Sequence, residues 1–452
     1  MSHRRLPALL LACLLPMLLA GCSAHEAETT TLDFWAMGSE GERVQALLPE
    51  FERRYPGIRV RVQQIPWSAA HEKLLTAHVG GTLPDVFQLG NTWLPELHAL
   101  KALAPLDGTL PAEAEADIFP GVLAANRIDG RLWGLPWYVD TRLLYYRADL
   151  LAQAGFDHPP RTWSEWLTAL HGVKAITGRP PLLLPFTEWQ TLIALGLQQQ
   201  ADLLREAGRY GDFRAPAFRA AFAFYLRLFR EGLAEVAGEA AAGNVYQAFA
   251  RGRIAFLVSG PWNLGEFERR LPDALQGAWA TAPLPVPDGT PYPGASIAGG
   301  ASLALRADSR HMDAARALIA FLLEPEQQLA FYRETGDLPV RTSAWTQGGL
   351  HTAPRVDAFW QQLAHVRGVP AIPEWERIAS LVMRQAERAA RGLTSEEEAL
   401  RTLDAETDRL LEKRRWLLEH RQPGAAKNRH EQAECKEPRS ESPRHIKSIG
   451  EG

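Results

Sequence analysis

Between residues 30 and 420 the sequence has no cysteine; its three cysteines stand at positions 13, 22 and 435. That excludes a disulfide framework, a cysteine zinc site and a cysteine nucleophile from the presumed folded part. The 13 histidines are scattered and form no HExxH pair, so the helical zinc-protease pattern is missing. No GxSxG elbow, no GxxxxGK[ST] phosphate loop and no cofactor fingerprint occurs. Charge of neither sign is in excess: 49 basic and 53 acidic residues leave a net charge of −4. Nothing in that balance points to a nucleic-acid partner or to a solvating acidic chain. Beyond residue 21 no segment is apolar enough to span a bilayer, which takes about 20 residues.

What is present is an ordinary soluble composition, 46% hydrophobic and 23% charged, in 452 residues. That length suits two to three domain-sized units. Tryptophan is heavily used, 14 against 5 methionines, which suits both cores and binding clefts. The chain opens with Arg4 and Arg5 and an apolar run, Leu6 to Ala20. That run is short for a membrane span and reads as a secretory signal. The stretch Leu19-Ala20-Gly21-Cys22 resembles the lipobox of bacterial lipoproteins. The resemblance implies cleavage before Cys22 and a lipid on its sulfur, hence a protein anchored to a membrane and not embedded in it. Residues 1–21 are then a signal peptide and 22–31 a lipidated tether, on the periplasmic side of the cell envelope. Ser23 leaves inner and outer membrane both open.

From Thr31 strands and helices alternate. Thr31 to Trp35, Ile58 to Val62 and Asp85 to Leu89 read as strands, with helical periodicity over 42–55 and 71–79 between them. Later, 143–147 and 254–258 read as strands, and 162–173, 213–231, 312–331, 374–391 and 396–420 as helices. This order argues for an α/β fold with mostly parallel sheets flanked by helices. Trp163, Trp166, Trp279, Trp360 and Trp416 fall on apolar positions and are assigned to the core. From Gln422 the chain is polar with no aromatics, and 422–452 is expected to be a disordered tail.

Several stretches in order, LDFWAMGSEGERVQALLPEFERRYPGIRVRVQQIPW (32–67), LPDVFQLGNTWLPEL (83–97), GRLWGLPWYVDTRLLYYRADLL (130–151), QAFARGRIAFLVSGPWNL (247–264) and GGASLALRADSRHMDAARALIAFLLEPEQQ (299–328), resemble the extracellular solute-binding proteins of carbohydrate ABC transporters. The similarity runs from about 30 to 420. It implies a two-lobed periplasmic-binding-protein fold with hinge segments between the lobes. An N-terminal lobe of 32–138 and 299–342 and a C-terminal lobe of 139–298 and 343–421 are expected, with crossings near 138–141, 296–299 and 340–345. The implied function is capture of a sugar or oligosaccharide between the lobes, by a monomer. The implied partners are permease subunits and, through them, the ATPase. No cofactor, metal or catalytic residue is expected.

A sugar presents hydroxyls on its rim and C–H patches on its faces, so its site needs carboxylates, amides and aromatic faces. Several candidates lie just after strands, where ligand crevices form in open α/β sheets. The candidates are Ser39 and Glu40; Gln64 and Trp67; Asn91, Thr92 and Trp93; Tyr138 and Asp140; Trp189 in the turn Glu188-Trp189-Gln190; and Trp262 and Asn263. Gly299 and Gly300 would let backbone approach the ligand; Arg341 and Trp375 complete the set. Through the resemblance Asp140 is the principal polar contact and Trp262 the stacking platform. Two other classes stay open: a secreted saccharide hydrolase using paired carboxylates, and the same fold with a cargo such as glycerol phosphate or a peptide.

Overall fold

The computed structural model describes residues 29–235 and 244–420. The leader, Cys22 and the tail from Gln422 lie outside the described residues. Among the described residues no helix is long and apolar enough to cross a membrane.

Apolar alternation builds the first sheet. On strand Thr30–Met37 the buried Leu32, Phe34 and Ala36 alternate with Asp33 and Trp35, the period of two of a half-buried strand. It pairs in parallel with Ile58–Ile65 and with Val86–Gly90. The next neighbour, Gly299–Leu305, is antiparallel both to Val86–Gly90 and to Leu135–Asp140. Leu338–Pro339 closes that edge, antiparallel to Leu135–Asp140. The spatial order is therefore 338–339, 135–140, 299–305, 86–90, 30–37, 58–65. Four strands share one direction, as the alternation predicts. The sheet is nonetheless mixed, because a strand returning from elsewhere in the chain is wedged among them.

The second sheet has the order Trp279–Ala282, Leu143–Arg147, Phe256–Ser259, Leu182–Leu183, antiparallel except for the last pair. The two sheets are joined closely. Only Thr141 and Arg142 separate Asp140 in the first from Leu143 in the second. The chain returns through Ser296–Ile297, which pairs with Val366–Arg367, and enters the first sheet at Gly299. The Ser296 hydroxyl donates to the Arg142 carbonyl at 3.0 Å, tying the two crossings together. A third passage follows Leu338–Pro339. Helix Thr342–Gly348 packs on Pro325–Thr335 beside the first sheet, and Asp357–Leu363 packs on the strands of the second.

Apolar packing repeats this arrangement. One cluster spans both sheets, from Phe34, Trp137 and Leu303 to Tyr145, Phe267 and Trp279. Another lies wholly in the second lobe around Trp166, Phe218, Phe222 and Trp375. Trp163, Trp166 and Trp279 are buried as expected, whereas Trp360 is 38% and Trp416 56% exposed. Trp360 lies over Trp345 and Phe119 at the surface. Trp416 sits on helix Glu412–Glu419, which has no buried residue, and stacks on His420. Prolines divide two helices that periodicity had joined. Pro49 lies in the first turn of Leu48–Arg54, and Pro325 opens Pro325–Thr335; lacking an N–H, each fits a first turn and not a helix interior. Helix 396–420 likewise divides at Leu411.

The third passage is pinned by Asp117. Its carboxylate accepts hydrogen bonds from the Thr342 and Ser343 hydroxyls, from the Ser343 N–H at 2.9 Å and from Arg341 Nε at 2.8 Å. Burial alone would raise its pKa; the donors outweigh that and bring it to about 2. Asp117→Ala is expected to cost about 1.5–3 kcal/mol at pH 7, the scale of hydrogen bonds to a charged group. Because the folded pKa is depressed, that stability is present above the unfolded value near 4 and is lost as pH falls toward 2. Urea unfolding at pH 7 and pH 3 checks this: a gap between wild type and variant that does not shrink at pH 3 would dismiss the charge as the pin.

Candidate functional site

Strands Thr30–Met37, Val86–Gly90 and Leu135–Asp140 run the same way, so their C-terminal ends meet at the boundary between the two sheets. Just past the first of them, helix Gly38–Arg43 carries Glu40, which is 5% exposed. Its Oε1 accepts from the Tyr138 hydroxyl at 2.8 Å and the Trp67 indole at 3.1 Å, and its Oε2 from the Ser39 hydroxyl at 3.3 Å. Burial pushes the Glu40 pKa up, and these donors oppose it. Tyr138 also accepts from the Gln88 amide at 3.1 Å, while Gln88 Oε1 takes the Met37 N–H at 2.7 Å. Three strands are thus laced together behind one carboxylate. Ser39 is exposed and does not cap the helix. Gln64, also exposed, donates to the Gly38 carbonyl at 2.6 Å and holds the turn that presents Glu40.

Trp67 opens helix Trp67–Val79, is 36% exposed and meets the edge of Trp93 with ring centroids 5.6 Å apart. Thr92, beside Trp93, donates its hydroxyl to Glu376 Oε1. Glu376 lies on helix Trp375–Ala390 of the second lobe, so this hydrogen bond joins lobe to lobe. Burial raises the Glu376 pKa, with Thr92 and His71 opposing; His71 is itself held by Glu96 at 2.8 Å. Trp375 is fully buried and meets Trp189 edge to face at 5.4 Å. It is core and not a platform; Trp189, half-buried, is the more accessible of the two.

Asp140 lies against backbone. A Cβ at residue 299 would stand 1.9 Å from Asp140 Oδ1, so glycine is required there for the carboxylate to keep its place. Burial raises the Asp140 pKa, while Arg142, at 3.1 Å, and the Gly300 N–H oppose it. Arg142, 5% exposed, also lies 3.8 Å from Glu188 and places its guanidinium 4.7 Å above the Trp262 ring. The Trp262 ring folds back over Gly260, where a Cβ would be 2.0 Å away. One face of Trp262 is thus covered by a cation.

Glu40, Trp67, Trp93, Tyr138, Asp140, Trp189 and Trp262 therefore gather along the junction of the lobes. Other candidates hold the frame. Asn91 donates to the Gly299 carbonyl at 3.3 Å and accepts from Ser302 at 2.7 Å. Asn263 is 5% exposed, its amide and carbonyl engaged by Ser259 and Tyr246. Arg341 is committed to Asp117 and the Leu323 carbonyl, away from the junction. Sequence reasoning missed Arg142 and Glu376; the one signal for each was a charge next to a residue already singled out, Asp140 and Trp375. Three surface cavities of about 520 to 580 Å³ lie elsewhere, one around Arg161, Tyr292 and Arg355 and two beside Trp35. Chemistry, not open volume, marks the junction.

Two sheets joined by short crossings, with carboxylates and aromatic rings at strand ends between them, define a two-lobed binding protein. The profile of the bacterial extracellular solute-binding protein family matches residues 37–329, and the chain belongs to that family. It is similar to the sugar-binding protein MalE from Xanthomonas citri, with 44% identity, a TM-score of 0.79 and coverage of 87% of this chain and 100% of that one. The GacH receptor of Streptomyces glaucescens, solved unliganded and with acarbose, is 25% identical with a TM-score of 0.78, covering 85% and 99%. The diacetylchitobiose binding protein DasA of Streptomyces coelicolor is 26% identical over 365 residues, 79% of this chain and 84% of that protein.

The separation of frame from site is measurable. Trp375→Ala should lower stability by about 3–5 kcal/mol, the cost of truncating a buried tryptophan, in urea unfolding. A loss below about 1 kcal/mol would mean that Trp375 is not core.

Proposed function

We propose that this protein is a receptor that captures a sugar or oligosaccharide between its lobes and delivers it to an ABC importer in the membrane. The observation that carries this reading is the pairing of Trp262 with Asp140 and Glu40 at the lobe junction: an aromatic face for sugar C–H groups and fixed acceptors for hydroxyls. Family membership and the sugar- and oligosaccharide-binding relatives support it.

In this reading Trp262 offers the ring face not covered by Arg142. Asp140, with Arg142 beside it opposing the effect of burial, accepts hydroxyl hydrogen bonds. Glu40 accepts on the far side, its orientation set by Tyr138 and Trp67. Contacts from both lobes are complete only when the lobes close, so the ligand stabilises the closed state. The carboxylates act as acceptors, and the ligand leaves unchanged. The lipid on Cys22 tethers the receptor on the periplasmic side of the envelope. The permease subunits read the closed form, and the ATPase acts through them.

A thermal-shift screen with neutral disaccharides, phosphorylated sugars and peptides, followed by calorimetry and product analysis, tests the reading. A saccharide that raises the melting temperature and is recovered intact is expected; hydrolysis of that saccharide would make the protein an enzyme. Trp262→Ala should weaken binding by about 1–3 kcal/mol, roughly 5- to 150-fold, the scale of one buried aromatic side chain. Cys22→Ser should move the protein from the membrane to the soluble fraction; continued sedimentation with membranes would argue against the lipid anchor.

A further inference from the structure

At the floor of the junction stands a carboxylate that the preceding reading leaves unused. Asp337 is 2% exposed and immediately precedes strand Leu338–Pro339. In the antiparallel pairing with Leu135–Asp140, Leu338 opposes Val139 and Pro339 opposes Tyr138. One more step in that register brings Asp337 level with Asp140. Glu40 reaches the same place from the other side, through the Tyr138 hydroxyl at 2.8 Å. The segment is fixed between the lobes: a Cβ on Gly336 would lie 3.1 Å from the Pro261 carbonyl and 3.2 Å from the Gly265 nitrogen, at the start of helix Trp262–Arg270.

The three carboxylates are not equally provided for. Asp140 has Arg142 at 3.1 Å. Glu40 has three side-chain donors but no cation. For Asp337, neither carboxylate oxygen meets a hydrogen-bond donor among the described residues. The nearby Thr335 hydroxyl directs its proton to the Phe331 carbonyl at 2.8 Å and accepts the Asp337 N–H at 3.0 Å. Burial first, and then the charge of Glu40, push the Asp337 pKa well above the usual carboxylate range, with the Thr335 hydroxyl opposing and the charge of Asp140 adding to the rise. A buried acceptor without a donor is costly, and like charges facing one another across strands add to the cost. A resident metal does not account for it: among the described residues no group of three or more His, Cys, Asp or Glu is arranged to hold one.

We propose that Asp337 and Glu40 form a cation-accepting pair at the floor of the cleft, and that the ligand is a sugar bearing a basic nitrogen seated between them. This deepens the sugar-receptor reading and rests on it. A hydroxyl supplies donors but no charge, and leaves two buried carboxylates sharing one proton. An ammonium supplies both donors and charge, and on binding displaces the proton of Asp337 to solvent. The nitrogen side of such a ligand is specified by Asp337, and its remaining rim by Asp140 and Trp262.

The test is calorimetry on the full chain with matched disaccharides, each neutral parent set against counterparts carrying one amino group in place of a hydroxyl at successive positions. At least one amino counterpart should bind tenfold or more tightly than its parent at pH 7. Its enthalpy should vary with the buffer's ionisation enthalpy, reporting proton release. Asp337→Asn should abolish the tenfold preference for the amino counterpart over its parent. It should also raise the melting temperature of the protein alone, by more at pH 8 than at pH 5, since a raised carboxylate pKa destabilises the fold increasingly above its unfolded value. Parents that bind with no amino counterpart tighter, or a preference that survives Asp337→Asn, overturn the proposal and leave the receptor reading intact. If no saccharide of either kind binds, both fail.

Discussion

One strand pairing ties the crossings to the junction: Gly299–Leu305 lodged antiparallel between Val86–Gly90 and Leu135–Asp140. Gly299 lies 209 residues beyond Gly90 and 159 beyond Asp140, so the pairing closes long loops whose entropy cost grows only slowly with length. Once made, it aligns Gly299 with Asp140 and Ala301 with Gly90. It brings Ser302 onto Asn91 and Asn126, at 2.7 Å each. It also sets where the chain re-enters from the second lobe, and the Ser296–Arg142 hydrogen bond holds the outgoing and returning crossings in step. The lobes are therefore parts of one weave, and the apolar cluster that runs through both sheets is its filling.

Around that weave the electrostatics are lopsided. Glu40, Asp140, Glu188, Asp337 and Glu376 collect at the junction, against Arg142 and the neighbouring His71. Burial raises the pKa of Glu40, Asp140, Asp337 and Glu376 alike, while elsewhere exposed carboxylates beside arginines, such as Glu50 and Glu398, are shifted down. Surface ion pairs of that kind contribute little to stability. The junction is the opposite case, where Glu40, Asp140, Asp337 and Glu376 are buried together at a cost to the fold. Such local conflict is typical of functional sites.

Much of this was legible in the sequence. The alternation of strand and helix and the position of Glu40 and Trp262 after strands follow from periodicity and turn chemistry, whereas Asp140 was singled out through the family resemblance. The mixed direction of the first sheet did not, because one sequence carries no record of which distant strands pair. Pro49 and Pro325 open Leu48–Arg54 and Pro325–Thr335, a boundary hidden inside the longer helical periods read over 42–55 and 312–331. Trp360 and Trp416 occupy apolar positions on helix faces that stay exposed among the described residues, and periodicity alone does not distinguish a face that is buried from one that is merely apolar. Arg142 looked like an ordinary charge next to a strand. Only the fold shows it lying between Asp140 and the ring of Trp262. Asp337 has no sequence signal at all; its character comes entirely from the neighbours that the strand register gives it.

The hydrogen bond from Thr92 to Glu376 spans the two lobes without belonging to the carboxylate cluster at the floor. It holds the two lobes together as they stand here through groups apart from that cluster. Apparent affinity scales with the fraction of molecules in the binding-competent state. Strengthening or weakening this one contact would thus multiply every dissociation constant by a common factor and leave their ratios untouched. For a ligand that touches neither Thr92 nor Glu376, how tightly it is held and which ligand is preferred would thus be set at different places in the fold.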